Sequence, residues 1–501
     1  MNAWNVAAAA PEWILSAAAL LLLWIDARAP RTGRRPRYGA VAAGGVALAT
    51  LAAVLQGASI GSGKSYAFLG QYGADAFSAL LKAVFGTTSL VVLGLSGAWL
   101  RRVDRGHGEF HLLLLFATLG MFFVCSVEDF AGLFVSLELI TVSFYCLAAF
   151  KRNDERSVEA GVKYVILGAL ASAFLLLGIA FLYGATGSLK LSALEGVAVG
   201  RDLELGGGAL LQFGLLLTIV GLGFKIAAVP FQVWTPDVYE GAASPVTAFL
   251  SMGSKGAGFA LLLKVVRACL GPSATSGLAG AGPWIALLAF IAAATLLYGN
   301  LGAMGQGNIK RLLGYSSIGH AGYVLMGLLA FDASGVAAVL YYLMAYLFTV
   351  LGVFAVVVVV NGVLRSHRID DYGGLGRRSP LLALALTCGL LSLAGVPPMG
   401  GFFAKFLVFR AIVAKGTPVA YALAFVGAAG VVISLYYYLA VVKRLYMDEG
   451  AAGALAEPIP LSPPMRAIVY ACLAGVFALG IFHAPFVQMA ETAASALLAA
   501  R

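Results

Sequence analysis

Of the 501 residues, 61% are hydrophobic and only 11% are Asp, Glu, Lys or Arg, with a mean hydropathy of +0.92 and a net charge of +10. A soluble domain carries about 25% charged residues, and the 33 basic and 23 acidic side chains here cannot cover two or three soluble domains. The 62 glycines come with only 17 prolines and no G-X-Y period, which excludes collagen and disorder and leaves an integral membrane protein.

A helix needs roughly 20 apolar residues to cross a hydrocarbon core of about 30 Å. The chain holds fourteen such stretches, beginning near Pro11, Tyr38, Ala74, His111, Asp129, Glu159, Ala209, Pro245, Pro283, Lys310, Gly335, Pro380, Pro418 and Pro464. The first has no basic segment ahead of its apolar run and reads as a retained span, not a signal peptide. None alternates like a membrane β-strand. The predicted class is therefore all-α, about 14 transmembrane helices in a single polytopic domain over residues 1–501.

Loop charges orient the spans. The loops after spans 1, 3, 5, 9, 11 and 13 carry 20 of the 33 basic residues, among them Arg101, Arg102, Lys151, Arg156, Lys310, Arg365 and Arg368. The alternate set holds eight: Lys64, Lys190, Arg201, Lys264, Arg267, Arg410, Lys415 and Arg501. Positive-inside asymmetry places the arginine-rich loops in the cytoplasm and both termini outside. The excess of basic residues thus serves topology in a lipid bilayer, with no nucleic-acid partner. Five scattered cysteines (Cys125, Cys146, Cys269, Cys388, Cys472) form no CxxC or Cys/His cluster, which argues against iron–sulfur, zinc or a disulfide framework.

Five basic residues remain inside spans: Lys82, Lys163, Lys225, Lys255 and Lys405. Glu138 is the only acid well inside one. A charge at the bilayer centre costs about 2.5–3.5 kcal/mol even on the lenient insertion scale, so it faces a bundle interior or a wet cavity. At 1.5 Å per residue, Glu138 lies roughly 13 Å deep, and Lys255 and His320 roughly 15 Å. Lys163 is shallower, and Lys82, seven residues after Asp75, is expected to snorkel outward. Burial disfavours a lysine's charged form and a carboxylate's alike, so a string of such groups can pass protons.

Two spans carry lysine beside a helix breaker. GLGFKIAAVPFQVWTPD has Lys225 five residues before Pro230, and LAGVPPMGGFFAKF has Pro397-Pro398 and Gly400-Gly401 before Lys405. Interior proline removes a backbone hydrogen bond and kinks the helix, which membrane depth tolerates only where protein or water satisfies the backbone. Lys225 and Lys405 are 180 residues apart, Glu138 and His320 182, each pair five spans apart. An odd offset inverts orientation, so spans 4–8 and 9–13 are expected to form inverted repeats with broken helices 7 and 12. The divisions are 1–110 for spans 1–3, 111–270 and 283–447 for the repeats, and 448–501 for the last span and C-terminus.

The stretch GFKIAAVPFQVWTPDVYEGAASPVTAFLSMGSK, from Gly223 to Lys255, resembles the subunit N family of bacterial respiratory complex I, the NADH–quinone oxidoreductase. NIKRLLGYSSIGHAGY (Asn308–Tyr323), LAGVPPMGGFFAKF (Leu393–Phe406) and FVSLELITVSFYCLAAFKR around Glu138 are similar to the same family. The sister subunits L and M more often read H-x-W-L-P-D-A-H where this chain has Phe231 to Tyr239. Subunit M typically has glutamate where this chain has Lys405, and subunit L continues past the fourteen spans. The resemblance implies a proton-translocating membrane subunit of a translocase in the bacterial inner membrane, its termini periplasmic. It implies that Glu138 pairs with Lys225 and that a mid-membrane axis continues through Lys255 to Lys405, with Lys163 and His320 completing the relay. It implies subunit M and the small subunits K and J as neighbours. It also implies no redox cofactor in this chain, with NADH, FMN, iron–sulfur clusters and quinone handled elsewhere in the complex. Lys82 has no role by this resemblance.

Ala58 to Ser65 fits a loose phosphate-loop pattern, but that mechanism needs a strand before it and a helix after it. No Gly-x-Gly-x-x-Gly nucleotide motif is present. A subunit of a multisubunit cation/proton antiporter and a structural spacer of the membrane arm are the alternative readings.

Overall fold

The computed structural model describes residues 6–29, 37–61, 63–103, 106–195, 207–270, 282–448 and 458–499. Arg201, Arg501 and Ser62 of the phosphate-loop-like run lie outside them, as does the side chain of Cys269. Among the described residues, twelve helices are long and apolar enough to cross a membrane, from Val6–Arg28 to Pro463–Ile481. Several start where a side chain takes up a free amide at the helix N-terminus. Asp75 accepts from Ser78 N, Asp129 from Gly132 N, Asp332 from Gly335 N and Thr417 from Ala420 N.

Two of the expected stretches differ from the twelve. Ile309–Leu328 is one 20-residue helix, capped by Asn308, but carries Lys310, Arg311 and His320 among its apolar residues. The stretch from Pro380 is split into Pro380–Ala394 and Gly400–Val413. The stretch from Ala209 is split likewise: Gly207–Ile226 ends before Pro230, and a short helix, Trp234–Gly241, follows. A feature without sequence signature lies in the next span, where a π-helical turn, Leu250–Ser254, sits between Ser244–Phe249 and Lys255–Leu270. Strand structure among the described residues is one antiparallel pair, Ser65–Ala67 with Tyr72–Ala74. Lys64 and Ser65 thus lead from a helix into a strand, the reverse of a phosphate loop.

The spans differ sharply in burial. Residues 244–265 are buried throughout and Ala333–Leu364 nearly so, whereas Tyr38–Ile60 and Pro418–Met447 sit on the rim. Rim side chains such as Leu48, Leu55, Phe425 and Val432 are exposed and apolar. A soluble protein does not present so much apolar surface, and lipid is the solvent that such a surface fits.

Candidate functional site

Each break in a helix is satisfied by protein. In the first, Ala228 N donates to Gly223 O at 2.9 Å and Val229 N to Thr295 Oγ1 at 3.0 Å, while Trp234 Nε1 takes the Phe224 carbonyl at 3.0 Å. In the second, Gly401 N donates to Ser392 Oγ at 3.1 Å, and a Cβ at Gly401 would come within 1.8 Å of the Ser392 carbonyl oxygen. Glycine at 401 is therefore what lets the two half-helices meet.

Lys225 is buried at the end of the first half-helix and donates to Thr141 Oγ1 at 2.5 Å. Glu138, one turn before Thr141, instead accepts from Ser172 Oγ at 2.6 Å. The two expected partners make no direct ion pair, and the carboxylate acts on the ammonium through space. Lys225 packs against the helix of Lys255, because a Cβ at Gly258 would lie 3.2 Å from its own.

Lys255 starts the helix after the π turn, a distortion frequent at functional sites. Its ammonium donates to the Ser317 carbonyl at 2.6 Å and to the Ser317 hydroxyl. That hydroxyl also accepts from Tyr346 at 3.1 Å and lies 3.0 Å from the Tyr239 hydroxyl. One turn on, His320 reaches Tyr342 through Nδ1 at 2.5 Å and Tyr438 through Nε2 at 3.3 Å, and Tyr438 bonds Ser316. A further turn brings Tyr323, whose ring lies 4.7 Å beneath the Lys405 ammonium. Lys405 donates to Ala394 O at 2.9 Å, at the carbonyl end of the half-helix, where a cation is favoured. Ser316/Ser317, His320 and Tyr323 share one face of Ile309–Leu328 at helical spacing. That helix is the spine between Lys255 and Lys405.

Lys163 does not join this axis. It is half-exposed and paired with Glu159 and Asp237, both at 2.7 Å, and Asp237 is also held by Arg311 at 2.7 Å. Nine residues separate it from Ser172, which touches Glu138, or roughly 13 Å along the helix.

Lys82 does not snorkel. It is buried and paired with Glu12 at 2.7 Å, and it donates to Tyr72 OH at 2.8 Å while that hydroxyl donates to Glu12 at 2.8 Å. Sequence reasoning placed Lys264 and Lys310 in loops, yet both are buried. Lys264 donates to Val127 O at 2.6 Å beside Glu128, and Lys310 to Glu240 O at 2.7 Å and Ala242 O at 2.5 Å. Glu128 is held in turn by Lys64 at 2.8 Å, with Asp75 at 3.4 Å. Burial opposes the charge of Lys64, yet the Glu128 and Asp75 carboxylates hold the ammonium above its ordinary lysine value. The tyrosine hydroxyls escaped notice because tyrosine counts as apolar in a hydropathy sum. Tyr342 and Tyr346, spaced one turn apart in the long apolar span Ala333–Leu364, are the available signal. Among the described residues, no three His, Cys, Asp or Glu side chains are grouped to hold a metal ion.

The family profile described as NADH:quinone oxidoreductase/Mrp antiporter, TM matches residues 127–433. The NADH-quinone oxidoreductase subunit N of Heliobacterium modesticaldum is 40% identical over 84% of this chain and 86% of its own length. That of Rhodospirillum rubrum is 39% identical over 98% and 97%. Among solved structures, a chain of respiratory complex I from Thermus thermophilus with bound aureothin is 32% identical, with a TM-score of 0.77 over 95% of this chain and 98% of its own. A chain of the Mrp complex from Dietzia sp. DQ12-45-1b has a TM-score of 0.84 over 99% and 98%, at 22% identity, a likeness of fold alone. By matched length and identity, the chain belongs to the NADH:quinone oxidoreductase/Mrp antiporter membrane family and, within it, to the subunit N members.

Proposed function

We propose that the chain works as a proton-translocating membrane subunit of a bacterial NADH–quinone oxidoreductase, coupling quinone reduction in other subunits to proton transfer along Glu138, Lys225, Lys255, His320 and Lys405. The observation that carries this reading is the continuous face of Ser317, His320 and Tyr323 between Lys255 and Lys405. A spacer needs no buried lysines on hydroxyl ladders. In this reading Lys163 ties the short half-helix to its neighbours through Asp237 and is not itself a relay.

The fourteen-span, inverted-repeat reading is supported by matched elements. Glu155–Thr186 and Ala333–Leu364 are both 32 residues long and start 178 residues apart. The caps Asp129 and Asn308 are 179 apart. The two lysines of the breaks are not equivalent, because Lys225 precedes its break and Lys405 follows its own. The inner-membrane orientation is supported by convergence of the arginine-rich loops. Arg102, Lys151, Arg156, Arg365 and Arg368 line one cavity, while Lys64, Asp75 and Glu128 meet in a separate cluster.

On this reading the neighbours are the antiporter-like subunit M and the small subunits K and J, and NADH, FMN, iron–sulfur clusters and quinone belong to other chains. Purification of the native assembly in mild detergent, with its partners identified and NADH oxidation measured, tests it. Co-purification with only cation-antiporter subunits, and no NADH-oxidising arm, would replace it with the antiporter reading.

A further inference from the structure

The arginine-rich end of the bundle contains a cavity of about 900 Å³, a volume within the usual range for small-molecule sites. Six cations line it: Arg102, Lys151, Arg156, Lys310, Arg365 and Arg368. Asp154 and Glu240 are the acids in its wall, and both are engaged. Asp154 caps a helix through Arg156 N at 3.2 Å and lies 3.4 Å from Lys151, and Glu240 is held by Arg311 at 3.2 Å. Among the described residues, the guanidinium groups of Arg102, Arg156 and Arg365 have no carboxylate partner, and the Lys310 ammonium meets only backbone carbonyls. Like charges gathered around a partly enclosed cavity repel one another more strongly than they would in bulk water. A bound anion relieves that repulsion.

A second observation points the same way. His367 lines the cavity, and its Nε2 lies 3.1 Å from the Asn361 amide nitrogen, so Nε2 accepts and Nδ1 carries the hydrogen. That Nδ1 is buried and has no partner among the described residues. Burial, and then the charges of Lys310, Lys151 and Arg156, push the His367 imidazole down to about 3, which registers the positive potential there. The cavity also adjoins a smaller one of about 230 Å³, sharing Trp99, Arg102, Lys151 and Asn361 with it. Val358, Val359, Leu461 and Met465 form the apolar part of its wall, beside Arg101, Arg102 and Lys151.

We propose that this basic cavity binds a phosphate-bearing anion, either a phospholipid headgroup or free phosphate. The forked donors of arginine suit phosphate oxygens, and basic pockets between helices on the cytoplasmic side recognise anionic headgroups. The apolar side chains of the second cavity suit an acyl chain, so the lipid source is expected to bind more tightly.

The test uses the native assembly, purified in mild detergent and washed free of lipid. Calorimetric titrations with dihexanoyl phosphatidylglycerol, dihexanoyl phosphatidylcholine and inorganic phosphate compare the unaltered complex with Arg102→Gln/Arg365→Gln. Phosphatidylglycerol affinity is expected to fall by about tenfold or more in the double variant, with phosphatidylcholine weaker than phosphatidylglycerol throughout. Phosphate binding that is lost in the variant, with no lipid binding, assigns the site to the soluble anion. Equal binding of all three ligands to both proteins overturns the proposal. Arg156→Gln alone serves if the double variant fails to assemble, and an unchanged affinity there also overturns it.

Discussion

Glu12, Tyr72 and Lys82 form a closed triad that joins the first span to the third, with three contacts of 2.7–2.8 Å and Glu12 and Lys82 each 1% exposed. Glu12→Gln would leave the Lys82 ammonium with a neutral amide and a hydroxyl in place of its counter-charge. Removing one partner of a buried pair costs about 3–5 kcal/mol, because the other charge stays buried and uncompensated. Lys82→Met strands the carboxylate for a similar loss. The double variant Glu12→Gln/Lys82→Met removes both charges, and replacement of a buried pair by uncharged groups of similar volume is often neutral. The expected coupling therefore exceeds about 2 kcal/mol, well above the scatter of a double-mutant cycle. Detergent-denaturation midpoints of the purified chain, with assembled complex counted on native gels, measure it. If the double variant loses as much as the two singles together, the triad is not a coupled unit and the argument fails.

Three further outcomes are expected. Lys405→Arg and Lys405→Met should both lower proton pumping with the complex assembled, because arginine keeps its proton in any protein setting; full pumping by the arginine variant would reduce Lys405 to a fixed counter-charge. Gly401→Ala should abolish assembly or pumping, since its methyl would overlap the Ser392 carbonyl, and ordinary activity would show that the break is pliable. In a background freed of native cysteines, Ser59→Cys and Arg377→Cys should be labelled from opposite faces of the membrane by an impermeant reagent, Arg377→Cys from the cytoplasm; labelling from one face would undo the loop-charge orientation.

Legibility followed chemical contrast. Glu138, Lys225, Lys255, His320 and Lys405 stand out in the sequence because their neighbours are apolar, and the breaks stand out because Pro230, Pro397-Pro398 and Gly400-Gly401 cannot continue a helix. Lys264, Lys310 and Glu12 lie within about two turns of a helix end, where hydropathy cannot tell a solvated charge from one roofed by another loop. Their burial comes from Val127, Ala242 and Tyr72, each supplied by a distant segment. The direct Glu138–Lys225 pair failed for a similar reason. Depth along two helices says that two charges share a level, but rotation decides contact, and here Thr141 and Ser172 take the places that the charges were expected to take.

Between Lys255 and Lys405 the charged groups are cationic, and their partners are hydroxyls and backbone carbonyls. Ser317, Tyr346, Tyr342, Tyr438 and Ser316 surround the path, and Lys255 and Lys405 both act on His320 electrostatically. Among the described residues no carboxylate contacts His320, whose ring nitrogens meet the Tyr342 and Tyr438 hydroxyls. In the relay proposed above, a proton rests on His320 while a neighbouring lysine is neutral, so that occupancy along the row alternates. The hydroxyls suit this alternation because each can accept from a charged neighbour and donate to a neutral one by rotating its hydrogen. Glu138 lies outside this row, beyond Lys225, and is the carboxylate that acts on that lysine through space. In the proposed relay, the one carboxylate beyond Lys225 is what makes the two ends of the row unequal.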